Sequence, residues 1–242
     1  MAWKIDFDYV SAQPNFVIDK EADGTTPWGF GWVWGGGRSL IGRPVPKSAT
    51  QTDSNKLADV FPLPALACVG ERFRAIVESF EPGIHEFHPI QLKSRKGVPY
   101  GEPYFLINVR QRFDSILVKG NNVDWSKRTG GDMDGMPFAS RPRAPRFVSR
   151  PTIAGRHLWQ NFWVYGGGIM VSEELRAALM QAKIRRLKFA EPRADYFEEV
   201  DKPFDYREQV PEMIEWMDAN RPESMFEWQL DWVKTFMPHW LS

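Results

Sequence analysis

The sequence predicts an α+β domain: a mixed, mainly antiparallel sheet with two strand–helix–strand units and a helical C-terminal extension. Three observations predict it. Val69-Gly70-Glu71-Arg72-Phe73-Arg74-Ala75-Ile76-Val77 aligns with Val171-Ser172-Glu173-Glu174-Leu175-Arg176-Ala177-Ala178-Leu179 at an offset of 102 residues, which also carries Phe87 onto Phe189. Short apolar runs bounded by glycine and proline surround both copies. The last fifty residues, by contrast, have a helical period.

In chain order, Trp3, Ile5, Phe7 and Tyr9 alternate along an opening strand over residues 3–10. Residues 11–27 are turn-rich. Residues 29–35 read as a strand ended by Gly35-Gly36-Gly37, and 42–56, with Pro44 and Pro46, read as a loop. The first unit spans 59–92. Gly70 sits at an N-cap position, Glu71 complements the helix dipole, and Phe73, Ile76, Val77 and Phe80 make one apolar face. Glu81-Pro82-Gly83 stops that helix, and a strand from Ile84 to Leu92 follows. Tyr104–Val109 and Ser115–Lys119 read as further strands. Asn121–Pro145 is the longest irregular stretch and carries Lys127, Arg128, Arg141 and Arg143. A strand around 157–165 leads to the second unit, over 169–192. Its helix is capped by Ser172, with apolar Leu175, Ala178, Leu179 and Ala182, and its closing strand is expected at Arg186–Ala190. The paired units are either an internal repeat or a chance likeness of two amphipathic helices. In the tail, Val210, Met213, Ile214 and Met217 share one helical face, with Glu208, Glu212 and Glu215 opposite. Ser224 and Glu227 have capping-box spacing, and Trp228 and Trp232 lie on an apolar arc. The organisation expected is one α+β domain over 1–194 and an acidic, Trp-rich helical tail over 195–242 packed on it.

Composition narrows the function. The formal net charge is +0, which disfavours non-specific nucleic-acid binding. The charge is unevenly placed: from Glu191 onward there are thirteen acids and five bases, so residues 1–190 carry +8 against −8. Such a segment either steers a basic partner or is a solvated helical surface. The single cysteine, Cys68, excludes a disulfide within the chain. Neither a secretory leader nor a run long enough for a membrane span is read, so a cytoplasmic protein is expected. Eleven tryptophans supply core or interface area.

Catalytic signatures fail on spacing. Gly29-Phe30-Gly31 has Trp34 where a dinucleotide loop needs its third glycine. His85-Glu86-Phe87-His88 has i, i+3 spacing in an expected strand, not the i, i+4 helical pair of a zinc protease. Asp132-Met133-Asp134-Gly135 lacks the later oxygen ligands of a calcium loop. Cys68 lies in an apolar strand, where packing is its default role. No metal or other cofactor is expected.

Several motifs occur in a familiar order: Asp59-Val60-Phe61-Pro62-Leu63-Pro64, the Val69-Gly70-Glu71 helix start, and Glu86-Phe87-His88-Pro89-Ile90. They are followed by Tyr104-Phe105-Leu106-Ile107-Asn108-Val109 with Phe113-Asp114, then Gly155-Arg156-His157-Leu158-Trp159, and Val171-Ser172-Glu173-Glu174-Leu175 running to Leu187-Lys188-Phe189. The chain resembles, over roughly 57–192, immunity protein family eleven of bacterial polymorphic toxin systems, formerly a domain of unknown function. Individual motifs are short; their order carries the likeness, and residues 1–50 and those after 195 lie outside it. The resemblance implies a cytoplasmic antidote, not an enzyme, that binds a cognate toxin domain, needs no cofactor, and blocks the toxin's active site or substrate access. It transfers no contact residues. From charge and aromatic content, the expected toxin-binding residues are Glu208, Glu212, Glu215 and Trp216 in the tail, with Arg141 and Arg143 in the long loop. Two other classes stay open: a hydrolase-like enzyme whose site joins His85 or His157 to a carboxylate of perturbed pKa, and a small-ligand module using exposed tryptophan. Oligomeric state is left open as well.

Overall fold

The computed structural model describes residues 1–5, 14–20, 39–63, 66–119, 125–127, 137–139, 146–161, 168–187, 189 and 196–219. The chain runs β1 (Ala2–Ile5), β2 (Phe16–Ile18), β3 (Ser48–Gln51), β4 (Val60–Pro62), β5 (Ala67–Gly70), α1 (Glu71–Phe80), β6 (Glu86–Lys93) and β7 (Tyr104–Asn108). It continues through β8 (Trp125–Lys127), β9 (Pro137–Ala139), β10 (Phe147–Ser149), α2 (Arg150–Ile153), β11 (Leu158–Gln160), β12 (Ile169–Ser172) and α3 (Glu173–Gln181). β13 (Tyr196–Val200), α4 (Tyr206–Gln209) and α5 (Pro211–Ala219) follow.

Both expected helices form where their apolar periodicity places them. α1 buries Phe73 and Val77; its N-cap, Gly70, contributes no side-chain hydrogen bond. Gly83, at φ +70, carries the chain out of the helix in a backbone region that glycine enters freely. α3 buries Leu175 and Leu179, and the Leu175 N–H donates to Ser172 Oγ at 3.2 Å. The strand expected at Arg186–Ala190 does not start there. Residues 184–187 form turns, and Lys183 and Arg186 have φ of 51° and 62°, values that cannot continue an extended ladder.

Two sheets and a hairpin ladder organise the strands. A six-stranded sheet has the order β2-β3-β6-β7-β5-β4, and a five-stranded sheet the order β10-β13-β1-β12-β11. Among the described strands only β3–β6 and β10–β13 pair in parallel, so the sheets are mixed and mainly antiparallel, and the α+β class holds. Strands occur where none was expected, among them β3, β8, β9 and β13. β3 lies in the proline-bearing stretch read as a loop, its Ala49 and Gln51 alternating into the protein. β8 and β9 pair inside the long irregular stretch. β13 begins just beyond position 194, within the acidic segment, and takes an interior place between β10 and β1. The strand expected at 29–35 lies outside the described residues.

Alternation along the strands sends apolar residues to opposite faces of each sheet, and two of the resulting cores involve the six-stranded sheet. Val60, Val69, Phe105 and Ile107 point from the six-stranded sheet into a core shared with α1, α3 and Ile5, Leu158, Ile169 and Val171 of the other sheet. α1 lies on β5 and β7, α3 lies on β1 and β12, and the helices touch. The offset positions Val69 and Val171, Phe73 and Leu175, and Val77 and Leu179 all enter this one core. On the opposite face of the six-stranded sheet, Phe61, Cys68, Leu92 and Leu106 pack with Leu40 and Phe16.

The five-stranded sheet is closed by residues 111–117. The Phe113 N–H donates to Gln160 O and the Gln160 N–H to Gln111 O, joining this segment to β11. The Leu117 N–H donates to Phe147 O and the Ser149 N–H to Ser115 O, joining it to β10. Both edge strands therefore find partners in one segment that continues directly from β7. Asn161 Oδ1 accepts from the Ser115 N–H at 2.8 Å, and Trp159 Nε1 donates to Ser115 Oγ at 3.1 Å, fixing the segment from inside.

Candidate functional site

The acidic segment is built outward from β13. Phe197 is buried, while the neighbouring carboxylates face outward with unequal engagement. Glu199 accepts from the N-terminal ammonium at 2.6 Å and from Arg150 Nε at 3.4 Å; Asp201 accepts from Arg150 Nη1 at 2.6 Å. Asp205 caps α4, accepting from the Arg207 N–H at 2.9 Å. Docking of α4 uses its other face. Tyr206 Oη accepts from the Asp114 N–H at 3.2 Å, Gln209 Oε1 accepts from the Lys119 N–H at 3.0 Å, and Val210 is fully buried. Burial raises the Tyr206 phenol well above its ordinary pKa, and the charge of Asp114 adds to that. α5 follows, lying against α4 and β9, with Ile214 buried.

The expected binding residues therefore separate. Glu212 and Glu215 are exposed on α5, and Trp216 beside them is half-buried. Glu208 is half-buried and ion-paired with Lys202. Glu198, Asp201 and Asp205, not singled out from the sequence, extend the exposed acidic surface. Arg141 and Arg143 lie outside the described residues, as do residues 220–242 of the tail.

Both histidines of the enzyme alternative meet a carboxylate, but in a packed interior. Glu81, at the end of α1, accepts from His85 Nε2 at 2.7 Å and the Leu158 N–H at 3.0 Å through one oxygen. Its other oxygen accepts from Gln111 Nε2 and the His157 N–H, both at 2.6 Å. The Arg110 N–H donates to His85 Nδ1 at 3.3 Å, which places the ring proton on Nε2, toward Glu81. Burial alone would raise the Glu81 pKa; the hydrogen bonds from His85, the His157 N–H and Gln111 outweigh it and hold the carboxyl below its usual range. A general base needs a raised pKa and an open approach, and Glu81 has neither. His157 Nδ1 lies 2.9 Å from Ser172 Oγ, the hydroxyl that caps α3, and Glu81 touches the His157 backbone, not its ring. That arrangement is a helix cap, not a nucleophile with an oriented base. The sequence hint for Glu81 was its place four residues before His85 at a helix stop.

A cleft of about 400 Å³ opens elsewhere, at the start of α1, lined by Asp59, Gly70, Glu71, Arg72, Glu102, Pro103 and Arg185. Arg185 spans it, paired with Asp59 at 2.7 Å and Glu102 at 2.8 Å, and these bonds raise its pKa further. Neither histidine lines it. Cys68 is fully buried, and burial pushes its thiol pKa up, as expected of a packing residue. Among the described residues no group of three or more His, Cys, Asp or Glu side chains could hold a metal ion. His85 and His88 go to different carboxylates, Glu81 and Glu86. No helix of the described residues is long and apolar enough to cross a membrane.

Two mixed sheets around a shared helix pair, with an acidic surface mounted on an interior strand, describe an α+β protein whose exposed features are charged surfaces. A family model described as the immunity protein family (Imm11) matches residues 6–194, and the chain belongs to that family. Membership supports an immunity role, with a protein toxin as the kind of partner, and suggests a non-enzymatic one. Comparison with curated proteins finds no match. The family match reaches further toward the N-terminus than the motifs at 57–192 and stops immediately before β13.

Proposed function

We propose that the chain neutralises one cognate secreted bacterial toxin by binding its toxin domain and occluding its active site or substrate access. The setting is the cytoplasm of a cell using a polymorphic toxin system, with delivery by a contact-dependent apparatus such as type VI secretion. Family membership over residues 6–194 is the observation that carries this reading. The binding surface proposed is the acidic C-terminal segment, centred on Glu212, Glu215 and Trp216 with Glu208 at its edge, and Arg141 and Arg143 of the long loop are proposed as further contact residues. The exposure of Glu198, Asp201, Asp205, Glu212 and Glu215 supports it, since acids not held in the interior can meet a basic partner surface and speed its approach.

The test is capture and rescue. Tagged protein, purified from cells expressing the neighbouring open reading frames, is expected to retain the C-terminal domain of one large partner in stoichiometric amount. Co-expression is expected to rescue cells that make that domain. Recovery of the folded protein alone, with no protection, would reject the reading.

A further inference from the structure

We propose that the cleft at the start of α1 is a receptor for a carboxylate, bound end-on by Arg185 in the place that Glu102 occupies. The chemistry of the cleft stands on its own; that the carboxylate is carried by a protein rests on the toxin reading.

Arg185 is fixed before any ligand arrives. The Asp59 N–H donates to Arg185 O at 3.1 Å, and the Arg185 N–H donates to Asp59 Oδ2 at 2.6 Å. Asp59 Oδ1 accepts from Arg185 Nε at 2.8 Å and lies 2.7 Å from Nη2. On either side of Arg185, Lys183 and Arg186 have φ of 51° and 62°, the left-handed region that residues with a Cβ enter at a cost. A strained turn clamped at both backbone groups of one residue is the over-determined geometry that ligand clamps use. It also spares a ligand the cost of ordering the guanidinium.

Donors outnumber acceptors in the cleft. Asp59 takes the Nε side of the guanidinium. The outer edge, Nη1 with Nη2, is used by Glu102 through a single bond, Nη2 to Oε2 at 2.8 Å, and Nη1 bonds no atom of the described residues. Glu71, on the rim, goes to Arg74 at 3.3 Å and does not reach Arg185. The outer edge of a guanidinium matches a carboxylate through two parallel bonds. An incoming carboxylate can therefore make two bonds where Glu102 makes one. The exchange conserves charge. Glu102, its side chain 61% exposed, returns to water from a surface pair of small worth. The cleft, about 400 Å³, gives the newcomer space. Its lining offers one apolar side chain, Pro103, so a free small acid gains little beyond the pair itself. A carboxylate on a protein surface adds the rest of an interface to the same two bonds, which selects a protein side chain as the ligand.

Two arms test this on the full chain. In the first, sodium acetate replaces sodium chloride at constant ionic strength while the Arg185 Nε–H resonance is followed. Glu102→Ala should need about two- to fivefold less acetate than wild type for the same shift, because the internal competitor is gone. Glu71→Ala removes the same charge from the rim without touching Arg185 and should match wild type. In the second arm, the partner domain captured with the tagged chain is titrated against each variant. Glu102→Ala should tighten the complex by about two- to fivefold, and Glu71→Ala should leave it unchanged. The absence of an acetate-dependent shift in Glu102→Ala, or an equal gain from Glu71→Ala, would overturn the site. An acetate response with no change in the complex would overturn the protein as the source of the carboxylate. Failure to capture any partner would count against the toxin reading, and the acetate arm would still decide the cleft.

Discussion

Glu81 Oε2 and His85 Nε2 lie 2.7 Å apart across the end of α1, both in the interior, and the same carboxylate binds the His157 and Leu158 N–H groups at the start of β11. One side chain thus ties the helix, the entry to β6 and the five-stranded sheet together. Glu81→Gln places an amide NH₂ among these donors and is expected to cost about 2–3 kcal/mol in urea unfolding. The pH dependence has a fixed sign. Glu81 titrates below its ordinary range when folded, so its contribution is complete above the unfolded value of about 4.3 and fades as pH falls through the folded pKa. Wild type should lose stability more steeply than Glu81→Gln below about pH 4.3; parallel curves would contradict this role.

The two N-caps invite opposite substitutions. Ser172→Ala removes the acceptor of the Leu175 N–H and the partner of His157 Nδ1, and should destabilise by about 1–2 kcal/mol. Gly70 has φ −81 and ψ 167, and a Cβ there would come no closer than 3.6 Å to its neighbours. Gly70→Ser should therefore stabilise by about 0.5 kcal/mol, through a new cap and a less free unfolded chain. Thermal melts of the pair would show whether the caps act as drawn.

Phe73 and Leu175 occupy equivalent positions in the two units and share one core. Phe73→Ala should cost about 3–5 kcal/mol and Leu175→Ala about 2–5 kcal/mol. Because the cavities would adjoin, the double variant should depart from additivity by about 0.5–3 kcal/mol. Strict additivity in a denaturant cycle would mean that the helices are energetically separate.

Arg185 holds two carboxylates of unequal burial: Asp59 is 4% exposed, and the Glu102 side chain is 61% exposed. Arg185→Ala should cost about 1–2 kcal/mol, because it removes the guanidinium from the interior Asp59 and leaves that carboxylate the backbone N–H of residue 185, at 2.6 Å. Glu102→Ala, at the solvated end, should cost no more than about 0.5 kcal/mol. Equal costs would place the energy outside the Asp59 contact.

Glu212 and Glu215 are exposed, so Glu212→Lys with Glu215→Lys should leave stability within about 0.5 kcal/mol. If the acidic surface receives the toxin, association should slow by about tenfold at low salt, and the difference should shrink as ionic strength rises. Unchanged association at low salt would move the interface elsewhere.

Local signals in the sequence were enough for α1, α3, their caps, the α+β class and the family motifs, because an amphipathic period and a capping residue act within a few positions of themselves. The acidity of the C-terminal segment was equally readable as composition. Tertiary structure decided the rest. Tyr196-Phe197-Glu198-Glu199-Val200 is short and charged, and it is a strand because β10 and β1 offer ladders on both sides. Ser48-Ala49-Thr50-Gln51 is a strand for the same reason, between β2 and β6. Glu81 reads as an ordinary helix-end acid until Gln111, His157 and Leu158 arrive from distant positions. Along the acidic segment, Glu199 and Glu208 are paired while Glu212 and Glu215 face solvent, a division that composition cannot make. Helical periodicity and capping are local properties of a chain; strand pairing, the satisfaction of a buried carboxylate and the exposure of a charge depend on residues brought together only by folding.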